Sequence, residues 1–368
     1  MKSKKITYAQ VGDNYDTKDP IKKLAQVAAS QTGIHLKKHG FEEIKDSRGE
    51  SAYVWKQGNI LMASVVEGLG TKNLVADDMR KVTGKTYYDI IAHDTVATII
   101  NDLITVGACP LTIHAYWAIE SNDWLQDKER MTDFINGWKS ACDMAKVSWG
   151  GGETPTLKGI VVPGTVDLGG SAIGIIKDKK NLVTDIKLKE GDRIILLKSN
   201  GINANGLSLA RAVAKGLKKG YATKISGDKT YGDAILTKTH IYAKLIQDLQ
   251  KNNIDIHYIS NITGHGLRKI MRARQDFSYV IEKIFDPQEL FLFIQKQAHL
   301  SDYEMYQTFN MGMDYALFLP NKDVKKALEV ITNNGFEGLD AGYVEKGKKQ
   351  VVIQPKQLRY HAETLDLR

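Results

Sequence analysis

Cysteine is nearly missing from this 368-residue chain: only Cys109 and Cys142 occur, in neither a CxxC nor a Cys/His ligand spacing. A disulfide framework is thereby excluded, no cysteine zinc site is spelled out, and a reducing cytoplasm fits. Long apolar runs are also missing, so no membrane-spanning helix and no membrane partner are expected. There is no low-complexity tract and no repeat at solenoid spacing, so the chain is expected to fold throughout. The first residues, Met1-Lys2-Ser3-Lys4-Lys5-Ile6-Thr7, are basic but lead into polar Asp13-Asn14-Tyr15-Asp16, which argues against a signal peptide.

What is present is the composition of a globular protein, 42% hydrophobic and 26% charged, in a chain long enough for two domains. A charged stretch at 177–190 lies between two apolar segments and marks the expected boundary, giving an N-terminal unit 1–177 and a C-terminal unit 178–368. The formal net charge is +8, yet the lysines are scattered and are not interleaved with stacking aromatics. That distribution argues against a nucleic-acid partner; a basic surface steers small polyanions such as nucleotides toward a cleft.

The most suggestive stretch is Glu67-Gly68-Leu69-Gly70-Thr71-Lys72, which follows the apolar run 60–66. Its glycines let backbone N–H groups approach an anion, Lys72 supplies a charge, and Glu67 is a candidate metal ligand. Segments 51–57 and 59–66 alternate and read as a hairpin turning at Gly58. Upstream, Asp19-Pro20 signals a helix over 20–31 carrying Ile21, Leu24, Ala25 and Ala28.

Residues 89–106 predict a long buried helix closed by Gly107. Asp94 and Asn101 on it are seven residues apart, about 20° in projection, with Asp102 alongside. A carboxylate desolvated among isoleucines needs a partner, a cation being the natural one. A strand over 111–119 and a helix over 127–146 follow, the latter with Met131, Phe134, Ile135, Trp138, Ala141 and Cys142 as its core stripe. The glycine run Gly150-Gly151-Gly152-Glu153-Thr154 suits a backbone passing close to a ligand, and Asp167 opens a strand over 165–176.

In the second half, a strand at 193–198 leads through the Asn- and Gly-rich turn 199–206 into a helix at 207–217, whose N-terminus favours an anion. A second such turn, Asn261-Ile262-Thr263-Gly264-His265-Gly266, opens a basic helix. His265 is expected to be held by its loop, because no acidic residue lies in sequence reach. Strands at 277–281, 315–320, 338–344 and 350–353, with helices at 287–298 (capped by Asp286) and 323–333, complete a mixed α/β or α+β pattern.

Taken in order, several stretches resemble the aminoimidazole ribonucleotide synthetase (phosphoribosylformylglycinamidine cyclo-ligase) family. They are Gly68-Leu69-Gly70-Thr71-Lys72, Asp94 with Asn101-Asp102-Leu103, Gly151-Gly152-Glu153-Thr154, Asp167-Leu168-Gly169-Gly170, Ser199-Asn200-Gly201 with Asn205-Gly206-Leu207, Thr263-Gly264, and Thr308-Phe309-Asn310-Met311-Gly312. The resemblance spans roughly Tyr8 to Ile353. It implies an N-terminal domain whose sheet forms a barrel across a homodimer, a C-terminal α/β domain, and nucleotide bound between them. It also implies use of ATP and magnesium to phosphorylate an amide oxygen of formylglycinamidine ribonucleotide, after which an amidine nitrogen closes the ring.

By position, the resemblance assigns catalytic roles to Glu67, Lys72, Asp94 and Asn205. It assigns ATP to Gly68, Gly70, Thr71, Lys72, Gly151, Gly152, Glu153 and Thr154, and magnesium to Glu67, Asp94, Glu153 and Asp167. Ser199, Asn203, Asn205, Thr263 and Gly264 would face the ribonucleotide. The chain departs from the usual family pattern at Glu67 (for Asp), Asn203 (for His), His265 (for Gly) and Asp314 (for Gly), and Gly40-Phe41-Glu42-Glu43 replaces a glycine-rich stretch. Two alternatives follow: another ATP-dependent phosphotransfer enzyme of the superfamily, such as selenophosphate synthetase, thiamine monophosphate kinase or a hydrogenase-maturation protein, or a catalytically silent nucleotide-binding paralogue. The missing N-terminal reactive cysteine argues against the selenophosphate enzyme.

Overall fold

The computed structural model describes residues 5, 6 and 15–365. Most of the basic Lys2-to-Lys5 tail and the start of the resemblance at Tyr8 lie outside the described residues. Two sheets fall on either side of the 177–190 stretch. The first has six strands, β1 (Glu42–Glu43), β2 (Tyr53–Gln57), β3 (Ile60–Gly68), β4 (Cys109–Ile119), β5 (Ser148–Glu153) and β6 (Val166–Ile176), in the order β1-β2-β3-β6-β4-β5. Helices α1 (Tyr15–Thr32), α2 (Ile34–Lys37), α3 (Lys72–Thr83), α4 (Tyr88–Leu103) and α5 (Lys128–Ala145) belong to the same half.

Alternation decides which face of this sheet is covered. Leu61, Ala63 and Val65 of β3 are buried against α4, while Ile60 and Val66 are exposed on the other face at 53% and 79%. α4 is buried almost all round, sandwiched between the sheet and α5, and its buried residues include the polar His93, Asp94, Asn101 and Asp102. It ends in a 3-10 turn at Ile104–Val106, and Gly107 then reverses the chain at φ +82°.

The second half carries β7 (Arg193–Lys198), a small hairpin β8 (Lys224–Ser226) and β9 (Lys229–Thr230), then β10 (Tyr258–Asn261), β11 (Phe277–Ile281), β12 (Met313–Leu319), β13 (Gly338–Lys346), β14 (Gln350–Ile353) and β15 (Leu358–His361). All but the hairpin form a seven-stranded sheet ordered β10-β12-β7-β13-β11-β14-β15, antiparallel except where β11 meets β14. Its helices are α6 (Leu207–Gly216), α7 (Tyr231–Ile235), α8 (Ala243–Lys251), α9 (Glu289–Ala298), α10 (Asp302–Tyr306) and α11 (Val324–Asn333). The interior strand β12 is buried on both faces, and its sequence is correspondingly an unbroken apolar run after Asp314.

Several elements differ from the sequence expectations. α1 begins at Tyr15 and keeps Pro20 inside it, so Asp19 is not its start, and its apolar Ile21 and Leu24 are exposed at 64% and 68%. α3 has no clear start signal in the sequence: its first residue, Lys72, is also the last residue of the glycine turn, and Thr71 before it makes no side-chain cap hydrogen bond. Ile135 of the α5 stripe is exposed and Met131 only partly buried. The basic helix after Gly266 is a 3-10 segment, Gly266–Met271, and α9 starts at Glu289 after Gln288, not after Asp286. Among the described residues no helix is long and apolar enough to cross a membrane.

Gly107 carries a load of its own. A Cβ built there would lie 1.9 Å from the carbonyl oxygen of Asn181, in a backbone conformation that side chains avoid. Gly107→Ala is expected to cost about 2–4 kcal/mol in urea unfolding; a loss below about 0.5 kcal/mol would show that the 104–107 turn moves freely against the linker.

Candidate functional site

The row register of the first sheet places small residues side by side at one end. Glu67 pairs with Gly170, Gly170 with Ala115, and Ala115 with Gly152; one step on, Gly68, Gly169, Tyr116 and Glu153 align in the same way. The glycines are obligatory because neighbouring backbone fills the space: a Cβ on Gly152 would sit 2.2 Å from the Ala115 carbonyl oxygen. The result is a groove of about 910 Å³ on the uncovered face, with Glu67, Gly68, Gly152, Glu153 and Asp167 along it. The triple glycine is therefore itself part of edge strand β5, not a loop.

Glu67 and Gly68 also border a smaller cleft of about 90 Å³ between the two halves, shared with Asp102, Asn203, Asn205, Thr263 and Lys269. Here the carboxyl groups of Glu67 and Asp102 face each other. Burial, and then the neighbouring Asp102 charge, push Glu67 up to about 7. Asn261 Nδ2 donates to Asp102 Oδ1 at 2.7 Å and orients it. Lys269, buried in the same wall, is drawn down to about 8 by desolvation, with Arg272 adding to that and the two carboxylates opposing it.

Two carboxylates that cannot both ionise comfortably are what a hard divalent cation would relieve, so the oxygen donors present fit magnesium. Among the described residues no group of three or more His, Cys, Asp or Glu side chains is arranged to hold a metal. A magnesium ion that takes its remaining ligands from phosphate and water needs only one or two carboxylates.

The cation that Asp94 required is supplied by the protein. Lys72, the first residue of α3, forms an ion pair with Asp94 Oδ2, and both side chains are wholly buried. Lys72 Nζ also donates to the Thr237 carbonyl at 2.9 Å, and Asp94 Oδ1 accepts from the Thr239 N–H at 2.8 Å. Two further polar residues on α4 grip the same segment: His93 Nε2 lies 2.8 Å from Thr239 O, while Asn101 Nδ2 donates to His240 O at 2.7 Å and Asn101 Oδ1 accepts from Tyr242 N at 3.1 Å. Lys72 and Asp94 thus do not reach the groove or the cleft. They bolt the 237–242 segment of the second half onto α4.

The remaining expectations divide similarly. Asn203, Asn205 and Thr263 come together in the cleft, and Gly264 borders the adjoining space beside His265, Lys269 and Arg272. Ser199 is buried and donates to Asn310 Oδ1 at 3.1 Å, so it shapes the turn instead of facing the cleft. Gly70 supplies a left-handed turn at φ +74°, and neither it nor Thr71, Gly151 or Thr154 borders the groove or the cleft. His265 does have an acidic neighbour, Asp19 at 3.3 Å, brought from α1 and invisible in sequence. Burial, then the charges of Lys269 and Arg268, drives His265 down to about 2, so it stays neutral.

Two site residues carry no assigned role in the sequence. Asp102 stands beside Asn101 in a stretch that resembles the family, without a ligand or catalytic role. Lys269 was one lysine in a basic run, with no local signal that it turns inward.

Two consequences are measurable. Lys72→Met leaves Asp94 buried without its counter-charge, and a loss of about 3–5 kcal/mol is expected in denaturant unfolding; a change under about 1 kcal/mol would mean that the pair does not hold the halves together. Because Glu67 is raised in the folded state, its ionisation costs stability increasingly from its unfolded value near 4.5 up to about 7. Glu67→Gln removes that cost, so the variant should gain a few °C over the parent at pH 8 relative to pH 5. An equal difference at both pH values would place the shared proton elsewhere.

The family model described as AIR synthase related protein, N-terminal domain, matches residues 49–176, and its C-terminal domain counterpart matches 189–354. A phosphoribosylformylglycinamidine cyclo-ligase of Methanococcoides burtonii is 31% identical over 335 residues, covering 90% of this chain and 93% of that protein. One from Carboxydothermus hydrogenoformans is 31% identical over 303 residues, covering 80% and 83%. Among solved structures, a HypE–HypF complex superposes with a TM-score of 0.59 at 16% identity, covering 85% of this chain and 92% of the other. AaThiL complexed with AMPPCP and TMP gives 0.58 at 13% identity, covering 85% and 90%. The last two share the fold; the sequence relatives and both domain matches go further, and the chain belongs to the AIR synthase related family.

Proposed function

We propose that this chain is an ATP-dependent cyclo-ligase that closes formylglycinamidine ribonucleotide to aminoimidazole ribonucleotide in purine biosynthesis. The observation that carries the reading is the Glu67–Asp102 carboxylate pair at the junction of a glycine-floored groove and a polar cleft. In this reading the groove, with Gly68, Gly152, Glu153 and Asp167, takes ATP, and the cleft, with Asn203, Asn205 and Thr263, takes the ribonucleotide. Glu67 and Asp102 would hold magnesium, which when bound neutralises charge on the transferring phosphoryl group. Asn261 keeps Asp102 turned to that point, and Lys269 adds a positive charge at the same wall. Lys72 and Asp94 act from behind by fixing the segment opposite.

The first half (1–177) would then be the ATP-binding and dimerisation domain, and the second (178–368) the α/β domain that completes the cleft. A homodimer fits the uncovered sheet face, where Ile60, Val66, Leu111 and Tyr116 are 40% or more exposed. Work on soluble nucleotides and two free cysteines suit the cytoplasm.

The test is a coupled assay with formylglycinamidine ribonucleotide, ATP and magnesium, following ADP and the aminoimidazole product. Wild-type protein should form both in equal amounts. Asp102→Asn, which keeps shape but removes a charge at the phosphoryl site, should lower kcat by at least about 100-fold. Folded wild-type protein that yields no aminoimidazole product would overturn the proposal.

A further inference from the structure

Two oxygens in the interdomain cleft are buried without partners. Thr239 is 6% exposed and its Oγ1 makes no hydrogen bond; the Oδ1 of Asn203 is likewise unpaired. Both residues border the same 90 Å³ cleft as Glu67 and Asp102. Leaving a buried acceptor unsatisfied costs about 1–3 kcal/mol, and two of them converging on one small space point to a ligand that satisfies them.

Each orphan is aimed by a fixed group behind it. Asn203 sits at φ +58° and donates from Nδ2 to Asp314 Oδ2 at 2.9 Å, while Asp314 Oδ1 accepts from the Tyr242 hydroxyl at 2.7 Å. The carboxylate oxygen accepts this bond, so the amide nitrogen faces Asp314, and the amide oxygen is the atom left without a partner on a residue that borders the cleft. Burial raises Asp314, and the two donated hydrogen bonds oppose that rise. Thr239 is held by its backbone: its N–H donates to Asp94 Oδ1 at 2.8 Å and its carbonyl lies 2.8 Å from His93 Nε2. The Lys72–Asp94 bolt therefore fixes the Thr239 backbone beside the cleft.

The carboxyl groups of Glu67 and Asp102 add further acceptors beside these two oxygens, and Lys269 is the cationic group among those bordering the cleft. A ligand that fits must bring N–H or O–H donors. We propose that the space between Asn203 and Thr239 is the subsite for the N–H-bearing amidine end of the ribonucleotide, with Asn203 Oδ1 and Thr239 Oγ1 as acceptors and with Asp314 and Asp94 as positioning residues. This assignment rests on the cyclo-ligase reading for the identity of the ligand, and on the two orphan oxygens for the chemistry.

The probe is acetamidine, compared with N,N-dimethylacetamide, which has no N–H. Ligand-observed NMR on the full chain should detect acetamidine binding and no dimethylacetamide binding, and acetamidine should compete with the ribonucleotide but not with ATP. Thr239→Val should weaken acetamidine binding and raise the KM for the ribonucleotide by roughly 3–10-fold, with the KM for ATP unchanged and with Thr239→Ser restoring both. Asn203→Ala and Asp314→Ala should each act in the same sense, and the double variant should be no worse than either alone. Equal binding of the two probes, or a Thr239→Val protein with unaltered acetamidine binding, overturns the subsite. Acetamidine binding that Thr239→Val abolishes in a protein without turnover upholds the subsite and overturns the cyclo-ligase reading instead.

Discussion

The polar edge of α4 is the constraint on which the two-domain arrangement depends. Segment 237–242 has no regular secondary structure, so its backbone groups must find partners elsewhere. They find them on α3 and α4: Lys72 takes the Thr237 carbonyl, Asp94 and His93 take both backbone groups of Thr239, and Asn101 takes His240 and Tyr242. A buried ion pair is a poor source of net stability, because desolvation offsets most of the attraction. Its value here is geometric, since it leaves the second half a single register against the helix.

That register makes the cleft. Asp102 lies on α4 beyond the bolted residues, Glu67 ends the strand packed under the same helix, and Asn203, Asn261, Thr263 and Lys269 arrive from the second half. The Tyr315 hydroxyl donates to the Asn101 carbonyl at 2.9 Å, tying β12 to the same point. A shift of the 237–242 segment by one residue would remove Thr239 from the cleft. Fold and site are therefore set by one group of hydrogen bonds, most of them wholly buried.

Much of this was legible in the sequence where periodicity is strong. The α4 and α5 helices, the β2–β3 hairpin, β11 and β14 follow from apolar spacing and turn residues. The need of Asp94 for a cation was also readable, but not which cation, because the partner lies 22 residues upstream at the start of a helix that had no clear start signal. Lys269 and Asp19 were unreadable for the same reason: what matters is the space they share with residues up to 246 positions away. Local pattern reports burial well and reports partners only when they are near in sequence.

The departures from the usual family pattern acquire a physical sense once their neighbours are known. Asn203 and Asp314 stand 111 residues apart and hydrogen-bond each other, so each accounts for the other: a carboxylate buried beside β12 needs a donor, and the amide supplies it. His265 meets Asp19. Glu67, one methylene longer than the aspartate usual at its position, meets Asp102, whose charge adds to burial in raising it. Isolated polar substitutions in a buried cleft would each leave an unpaired group. Here Asn203, His265 and Glu67 each meet a polar partner, and Asn203 still keeps an oxygen free toward the ligand space. A chain drifting away from catalysis would be expected to fill such a cleft with apolar side chains, since that removes the desolvation cost; this chain has kept the cleft polar and re-paired it.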